Sequence, residues 1–258
     1  MRNTISDIVK KKSQTPIVVV TAYDAWSAAI VDAAVDCILV GDSLGMVIQG
    51  RENTIPVTID EMIYHTRMVV RGSKQACVVC DLPFLSYQTS VRDAIISAGR
   101  CLKEGYAQSV KLEGGKSVVL QIAGIVQSGI PVIGHLGLTP QSINVFGKYS
   151  KQAKVDSEAQ QLLDEAKAIE DAGVSMFVLE SIPHELARRV TTSVGVPTIG
   201  IGAGGDCDGQ VQVFHDLFGL FPNFTPRHAQ KYTSSGTDMI RGIHEYAEQV
   251  RAGNFVSK

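Results

Sequence analysis

The chain has 258 residues, 45% of them hydrophobic and 19% charged, which supplies a large core and rules against a disordered chain. Its 24 basic and 26 acidic residues give a net charge of -2, so it lacks the basic excess expected of a nucleic-acid binder or a protein held on an anionic membrane surface. No apolar run approaches the roughly 20 residues of a membrane-spanning helix.

Near the N-terminus, Lys10, Lys11 and Lys12 precede the apolar run 17–20. That run is too short for a signal peptide, and Asp24 follows it closely. An intracellular protein is expected. From here the chain repeats one pattern, a short Val/Ile-rich run that stops at a polar residue. Run 16–20 leads into Tyr23 and Asp24, 37–41 ends at Asp42, and 76–80 ends at Asp81. Runs 109–112, 131–134 and 175–179 end at Glu113, His135 and Glu180, and 197–201 ends at Gly202. Nearly continuous apolar runs of this length are expected of parallel strands covered on both faces.

Helical patterns lie between them, at 25–34, 59–72, 91–105, 115–129, 157–173 and 183–194. Thr58 and Glu61 stand at capping-box spacing before the second. Several of these patterns stop at glycine, a common helix terminator. A C-terminal helix is expected over 239–252, and 144–156 reads as a long loop after the fifth strand. Seven strand–helix alternations at this length predict a (β/α)8 barrel spanning 1–258 as one domain, with short helical extensions at both ends. The eighth strand is expected at 210–214, although the gap after Gly202 is too short for a full helix. A doubly wound open sheet is the alternative fold.

In such a barrel, catalytic groups sit at the C-terminal ends of the strands. Asp42, Asp81, Glu113, His135 and Glu180 each occupy one. A single acidic strand end is commonly a helix cap or a solvated loop residue. Four carboxylates and an imidazole on one rim repel unless a cation or a proton compensates. An all-oxygen cluster suits Mg²⁺ or Mn²⁺ better than zinc. Asp42 and Asp81 are the first choice of ligands, with Glu113 nearby. Lys111 lies two residues before Glu113, so the two share a strand face. It either holds a substrate carboxylate or forms a salt bridge to Glu113. Ser43 follows Asp42 and can offer a hydroxyl and a backbone N–H.

Other motifs carry less. Five widely spread cysteines do not suggest a disulfide scaffold. Cys77 and Cys80 form C-x-x-C on a strand, where residues three apart face opposite sides, so they read as core thiols. Residues 200–205 match G-x-G-x-x-G, but no clear βαβ unit begins there, and a tight backbone loop is the better reading. His215 and Asp216 read as a structural pair.

Taken together, segments 21–24, 38–46, 56–58, 64–67, 81–87, 110–115, 134–141, 200–204 and 208–211 resemble the ketopantoate hydroxymethyltransferases. The resemblance covers nearly the whole chain. It implies a (β/α)8 enzyme of the phosphoenolpyruvate/pyruvate superfamily that moves a one-carbon unit from methylenetetrahydrofolate to the 2-oxo acid 3-methyl-2-oxobutanoate. It implies a metal, Mg²⁺ or another divalent ion such as Mn²⁺, on Asp42 and Asp81 with Glu113 in its outer sphere, and substrate contacts from Ser43, Lys111 and His135. It implies Glu180 as the general base that forms a metal-stabilised enolate, and a cytoplasmic homo-oligomer, typically a decamer. The chain departs from the family pattern at Ala34, Gly205, Phe214 and the loop 144–154. Two other readings stand beside this one. A superfamily lyase would keep the acidic cluster without folate, but it commonly carries a Lys-x-Cys-Gly motif that this chain lacks. A non-catalytic barrel would be expected to lose rim carboxylates, and all are present.

Overall fold

The computed structural model describes residues 2–255. Eight parallel strands close into a barrel in chain order: β1 Ile17–Thr21, β2 Cys37–Val40, β3 Cys77–Asp81, β4 Ser109–Glu113, β5 Val132–Gly137, β6 Met176–Glu180, β7 Thr198–Ile201 and β8 Gly209–Gln212. The open-sheet alternative is therefore excluded. The run after the N-terminal lysines is β1. Helices alternate with the strands: α1 Ile5–Val9, α2 Ala25–Val31, α3 Leu44–Val47, α4 Ile59–Gly72, α5 Val91–Lys103, α6 Val119–Gln127, α7 Ile143–Phe146, α8 Asp156–Asp171, α9 His184–Ser193, α10 Phe214–Leu217 and α11 Ser235–Arg251. Chain contacts divide these into two compact units, Met1–Val211 and Gln212–Lys258.

Strand parity organises the first unit. Ile17, Val19, Cys37, Leu39, Cys77, Val79, Ile133, Met176, Val178, Ile199, Ile201 and Val211 pack inside the barrel as one cluster. Ile5 and Ile8 of α1 join them, and the Asn3 N–H donates to Gln75 O (2.7 Å) just before β3, so α1 seals the N-terminal end. The alternate residues Ile38, Val40, Val78, Cys80, Val110, Leu112, Phe177 and Leu179 are buried under the helices. This double burial is why the strands read as unbroken apolar runs. Cys77 belongs to the inner cluster, whereas Cys80 Sγ faces out, 3.3 Å from Cys101 Sγ of α5.

Local signals fix the helix starts. Thr58 and Glu61 form the expected reciprocal capping box on α4, and Thr4 and Asp24 cap α1 and α2 in the same way. Three expectations need correction. The eighth strand runs over Gly209–Gln212, and Phe214 opens α10. The loop after β5 is partly helical, because α7 takes residues 143–146 before Gly147, in the left-handed conformation, ends it. The C-terminal helix begins at Ser235, four residues earlier than its periodicity indicated. No helix begins between β7 and β8, so residues 200–205 lack the helix N-terminus that dinucleotide binding requires.

In the second unit, Phe214 and Phe218 pack with ring centroids 4.7 Å apart, and His215 stacks on Phe221 at 5.6 Å. Thr233 Oγ1 donates to Phe218 O (2.7 Å), and the Gly236 N–H donates to Gly219 O (3.1 Å). Among the described residues no helix is long and apolar enough to cross a membrane.

Two positions in the first unit test these constraints. A side chain at Gly209 would place Cβ 2.3 Å from Ile17 O, where β8 meets β1. Gly209→Ala should therefore cost about 1–3 kcal/mol, the range for overpacking, read by urea denaturation. Asp32 accepts backbone N–H bonds from Lys74 (2.7 Å), Gln75 (3.0 Å) and Ala76 (2.9 Å). Burial alone would raise its pKa, but these bonds and the Arg2 charge outweigh it and hold the carboxyl below its ordinary value. A depressed pKa contributes stability that is present above the unfolded value and lost as pH falls through the folded one. Asp32→Asn should cost about 2 kcal/mol at neutral pH. Its deficit against the parent should shrink as pH falls below about 4, the ordinary carboxylate value.

Candidate active site

Strand parity carries the site residues onto the C-terminal end of the barrel. Asp81 follows the inward Val79 by two, His135 follows Ile133 by two, and Glu180 follows Val178 by two. Lys111 and Glu113 share the same face of β4 and are both buried. Parallel register sets them side by side, with Asp81 opposite Lys111 and Glu113 opposite His135. Asp42 arrives differently. By parity it would face outward with Val40, but β2 ends at Val40 and the chain turns at Gly41. That turn lets the Asp42 N–H donate to Asp81 Oδ2 (3.2 Å). A Cβ on Gly41 would lie 2.8 Å from Ser43 Oγ, so glycine keeps the turn tight.

Lys111 stands at the centre. Its Nζ lies 2.7 Å from Asp81 Oδ1, 3.2 Å from His135 Nδ1 and 4.0 Å from Glu113 Oε1. Its main partner is thus Asp81 across the strands, and the Glu113 salt bridge, one of the two readings of this lysine, is the longer contact. His135 bridges two carboxylates, with Nδ1 3.4 Å from Glu113 Oε1 and Nε2 3.4 Å from Glu180 Oε2. Ser43 Oγ sits 2.8 Å from Tyr23 Oη at the edge of the site. Asp42, Asp81, Lys111, Glu113 and His135 are all buried, and Glu180 keeps 16% of its side chain exposed. Glu180 is the carboxylate that can meet a molecule entering from outside.

Burial and crowding shift the charges. Burial, then the charges of Asp81 and Glu113, push the Asp42 carboxyl well above its ordinary range. Burial likewise raises Asp81 against the pull of Lys111. Glu113 goes the other way, because hydrogen bonding and charge from His135 and Lys111 overcome its burial. Burial and the Lys111 charge oppose protonation of His135, but its two carboxylate partners win and raise it to about 9. At neutral pH Lys111 and His135 are therefore two cations facing four carboxyl groups.

Sequence reasoning missed an uncharged shell around this cluster. Gln141 donates from Nε2 to Asp42 Oδ2 (2.9 Å) and to Leu82 O (2.9 Å), and its backbone N–H donates to Glu113 Oε2 (3.0 Å). Tyr87 Oη donates to Gln141 Oε1 (2.8 Å) and accepts from the Glu113 N–H (3.1 Å). Both side chains are buried. A search for ionisable strand ends passes over amides and phenols; the available signal was that both lie in the loops directly after β3 and β5. The divergent loop also reaches the site. The Gln152 N–H donates to Ser181 O (2.8 Å), beside Glu180. Burial, then the charges of Asp42, Glu180 and Glu113, raise the pKa of the Tyr149 hydroxyl.

The donor set fits a divalent cation of the Mg²⁺ kind. Among the described residues no three His, Cys, Asp or Glu side chains converge as a ready-made metal cage. Mg²⁺ does not need one; it commonly takes one or two carboxylates and keeps its other positions for water and substrate. Asp42 and Asp81 provide such a pair, and the crowding that raises both pKa values is what a cation would relieve.

A family model for ketopantoate hydroxymethyltransferase matches residues 2–258. A 3-methyl-2-oxobutanoate hydroxymethyltransferase of Moorella thermoacetica is 53% identical over 240 residues, covering 93% of this chain and 89% of that one. Its counterpart in Clostridium botulinum is 49% identical over 257 residues, covering 99% and 94%. Among solved structures, a phosphonopyruvate hydrolase superposes with a TM-score of 0.64 at 10% identity, covering 97% of this chain and 88% of that one. A 2,3-dimethylmalate lyase of the PEP mutase/isocitrate lyase superfamily gives 0.61 at 16%, covering 98% and 89%. At such identities the structural likeness speaks for the barrel alone. The full-length sequence matches carry more, and by them the chain belongs to the ketopantoate hydroxymethyltransferase family of enzymes.

Proposed function

We propose that this enzyme transfers a hydroxymethyl group from 5,10-methylenetetrahydrofolate to 3-methyl-2-oxobutanoate, giving 2-dehydropantoate on the route to pantothenate. The family membership supports the reaction. The observation that carries its chemistry is the buried Lys111–Asp81–His135–Glu113 cluster with the partly open Glu180 at its edge. Folate, the divalent ion and the proton-abstraction step are part of this reading.

Asp42 and Asp81 would hold the cation, with Glu113 in its outer sphere. When bound, the cation supplies Lewis-acid stabilisation of negative charge on the 2-oxo acid. Lys111, a buried ammonium, and Ser43 bind and orient the substrate carboxylate. Glu180 accepts the proton from C3 of the substrate. The electron pair left on C3 attacks the methylene carbon of the donor. Both C–N bonds of that carbon break, one replaced by the new C–C bond and the other by a C–O bond from water, and the two folate nitrogens take up the proton lost from C3 and one proton of the water. His135, charged near neutral pH, places Nε2 3.4 Å from Glu180 Oε2 and holds that carboxylate at the site edge by charge. The reading carries with it a cytoplasmic homo-oligomer, a decamer by family resemblance, without nucleic-acid or membrane partners. The net charge of -2 supports the last point.

The first test is proton NMR of 3-methyl-2-oxobutanoate in D₂O with enzyme and Mg²⁺. The C3 proton signal should vanish, and 2-dehydropantoate should appear once methylenetetrahydrofolate is added. Exchange without product would point to a different electrophile, as in a superfamily lyase, and neither would remove the reading. Glu180→Gln should slow both processes about a hundredfold or more, the scale of a lost general base, while Mg²⁺ affinity holds. Asp81→Asn should weaken Mg²⁺ binding and turnover together, checked by titration calorimetry beside the rate assay.

A further inference from the structure

Gln141 lies in the turn after β5, 99 residues from Asp42 in sequence, yet it caps that residue's carboxylate. Both amide hydrogens are spoken for, one by Asp42 Oδ2 and one by Leu82 O, each at 2.9 Å. The amide oxygen accepts from Tyr87 Oη at 2.8 Å and, over a longer distance, from Gln88 Nε2 at 3.4 Å. This arrangement fixes which way the amide points. Turned over, it would set its oxygen against Asp42 Oδ2 and Leu82 O, both acceptors, and its NH₂ against the Gln88 Nε2 donor. Buried groups strongly avoid such mismatches.

With Oδ2 capped, Asp42 Oδ1 receives no hydrogen bond among the described residues. On the other side of the pair, Asp81 Oδ2 accepts from the Asp42 backbone N–H, and Asp81 Oδ1 faces Lys111. The same Gln141 ties the cluster together through its backbone, which donates to Glu113 Oε2. One uncharged residue therefore contacts two of the three carboxylates assigned to the cation, and Tyr87 in turn orients it and accepts from the Glu113 backbone.

We propose that Gln141, locked by Tyr87, is a positioning residue that caps one oxygen of Asp42 and presents the other to the divalent cation. The inference rests on the cation reading above. Partners that orient metal ligands in this way commonly contribute 10–100-fold to metal affinity.

The experiment is Mn²⁺ binding followed by electron paramagnetic resonance on the full-length parent, Gln141→Leu, Tyr87→Phe and Asp42→Asn, with melting temperatures measured alongside. Gln141→Leu should weaken Mn²⁺ binding about 10–100-fold. Tyr87→Phe should weaken it by roughly threefold or more, because the amide keeps its donors and loses only the shorter of the two bonds to its oxygen. In the Asp42→Asn background, Gln141→Leu should add little further loss, since its action passes through Asp42. A general packing defect would instead lower the melting temperature and leave the Mn²⁺ affinity of the folded protein in place. Mn²⁺ affinity in folded Gln141→Leu within twofold of the parent overturns the proposal. If that variant does not fold, Tyr87→Phe decides: weakened binding supports the proposal, and unchanged binding overturns it. A parent that takes up no Mn²⁺ removes the cation assignment and the inference together, an outcome separate from normal parental binding that the variants leave unchanged.

Discussion

The Lys111–Asp81 ion pair is the interaction on which the rest of the site depends. Four carboxyl groups are gathered at one end of the barrel, and each would resist burial as an anion. An ammonium 2.7 Å from Asp81 and within reach of Glu113 lowers that resistance from inside the cluster. His135 supplies the second positive charge between Glu113 and Glu180. Buried pairs of this kind are weak contributors to net stability, because desolvation offsets their attraction. Their worth here is positional: removing either cation would leave four carboxyl groups in a dry environment facing a single positive charge. The remaining crowding between Asp42 and Asp81 is the feature that a bound divalent ion would relieve.

Backbone turns complete what the strands begin. Gly137 ends β5 with a positive φ of 93°, and a Cβ there would lie 2.3 Å from Glu180 O. The Leu138 N–H then donates to that same carbonyl (2.8 Å), tying the start of the loop to the strand end that bears Glu180. From this anchor the chain folds back so that Gln141 reaches across to Asp42 and Leu82. Gly41 performs the matching role after β2, where the chain leaves strand geometry and brings an outward-parity residue into the site. Charge on the strands and amide or phenol groups on the loops thus form two shells of different origin.

How much was legible follows the range of the governing forces. Period-2 alternation within a strand is a local property, so the shared face of Lys111 and Glu113 was readable from spacing alone. The capping box at Thr58 and Glu61 was readable for the same reason. The partner of Lys111 was not, because β3–β4 register decides whether Asp81 or Glu113 comes closer. The limits of β8 were misread because Val213 and Phe214 extend an apolar run whose end is set by barrel closure and by the start of α10. Residues 144–146 read as loop together with the rest of the polar stretch 144–156, yet a single turn, stopped by the left-handed Gly147, makes α7.

The sequence by itself determined the alternation of buried strands with helices, the parity that points five ionisable groups to one rim, and, through its full-length likeness to relatives, the family. Each depends on neighbours a few positions apart or on the residue order itself. Tertiary structure alone decided that the barrel closes, that Lys111 pairs with Asp81, and that Gln141 and Tyr87 brace Asp42 and Glu113. Those contacts join residues dozens of positions apart, and they exist only once strand register and loop direction have fixed where each side chain ends.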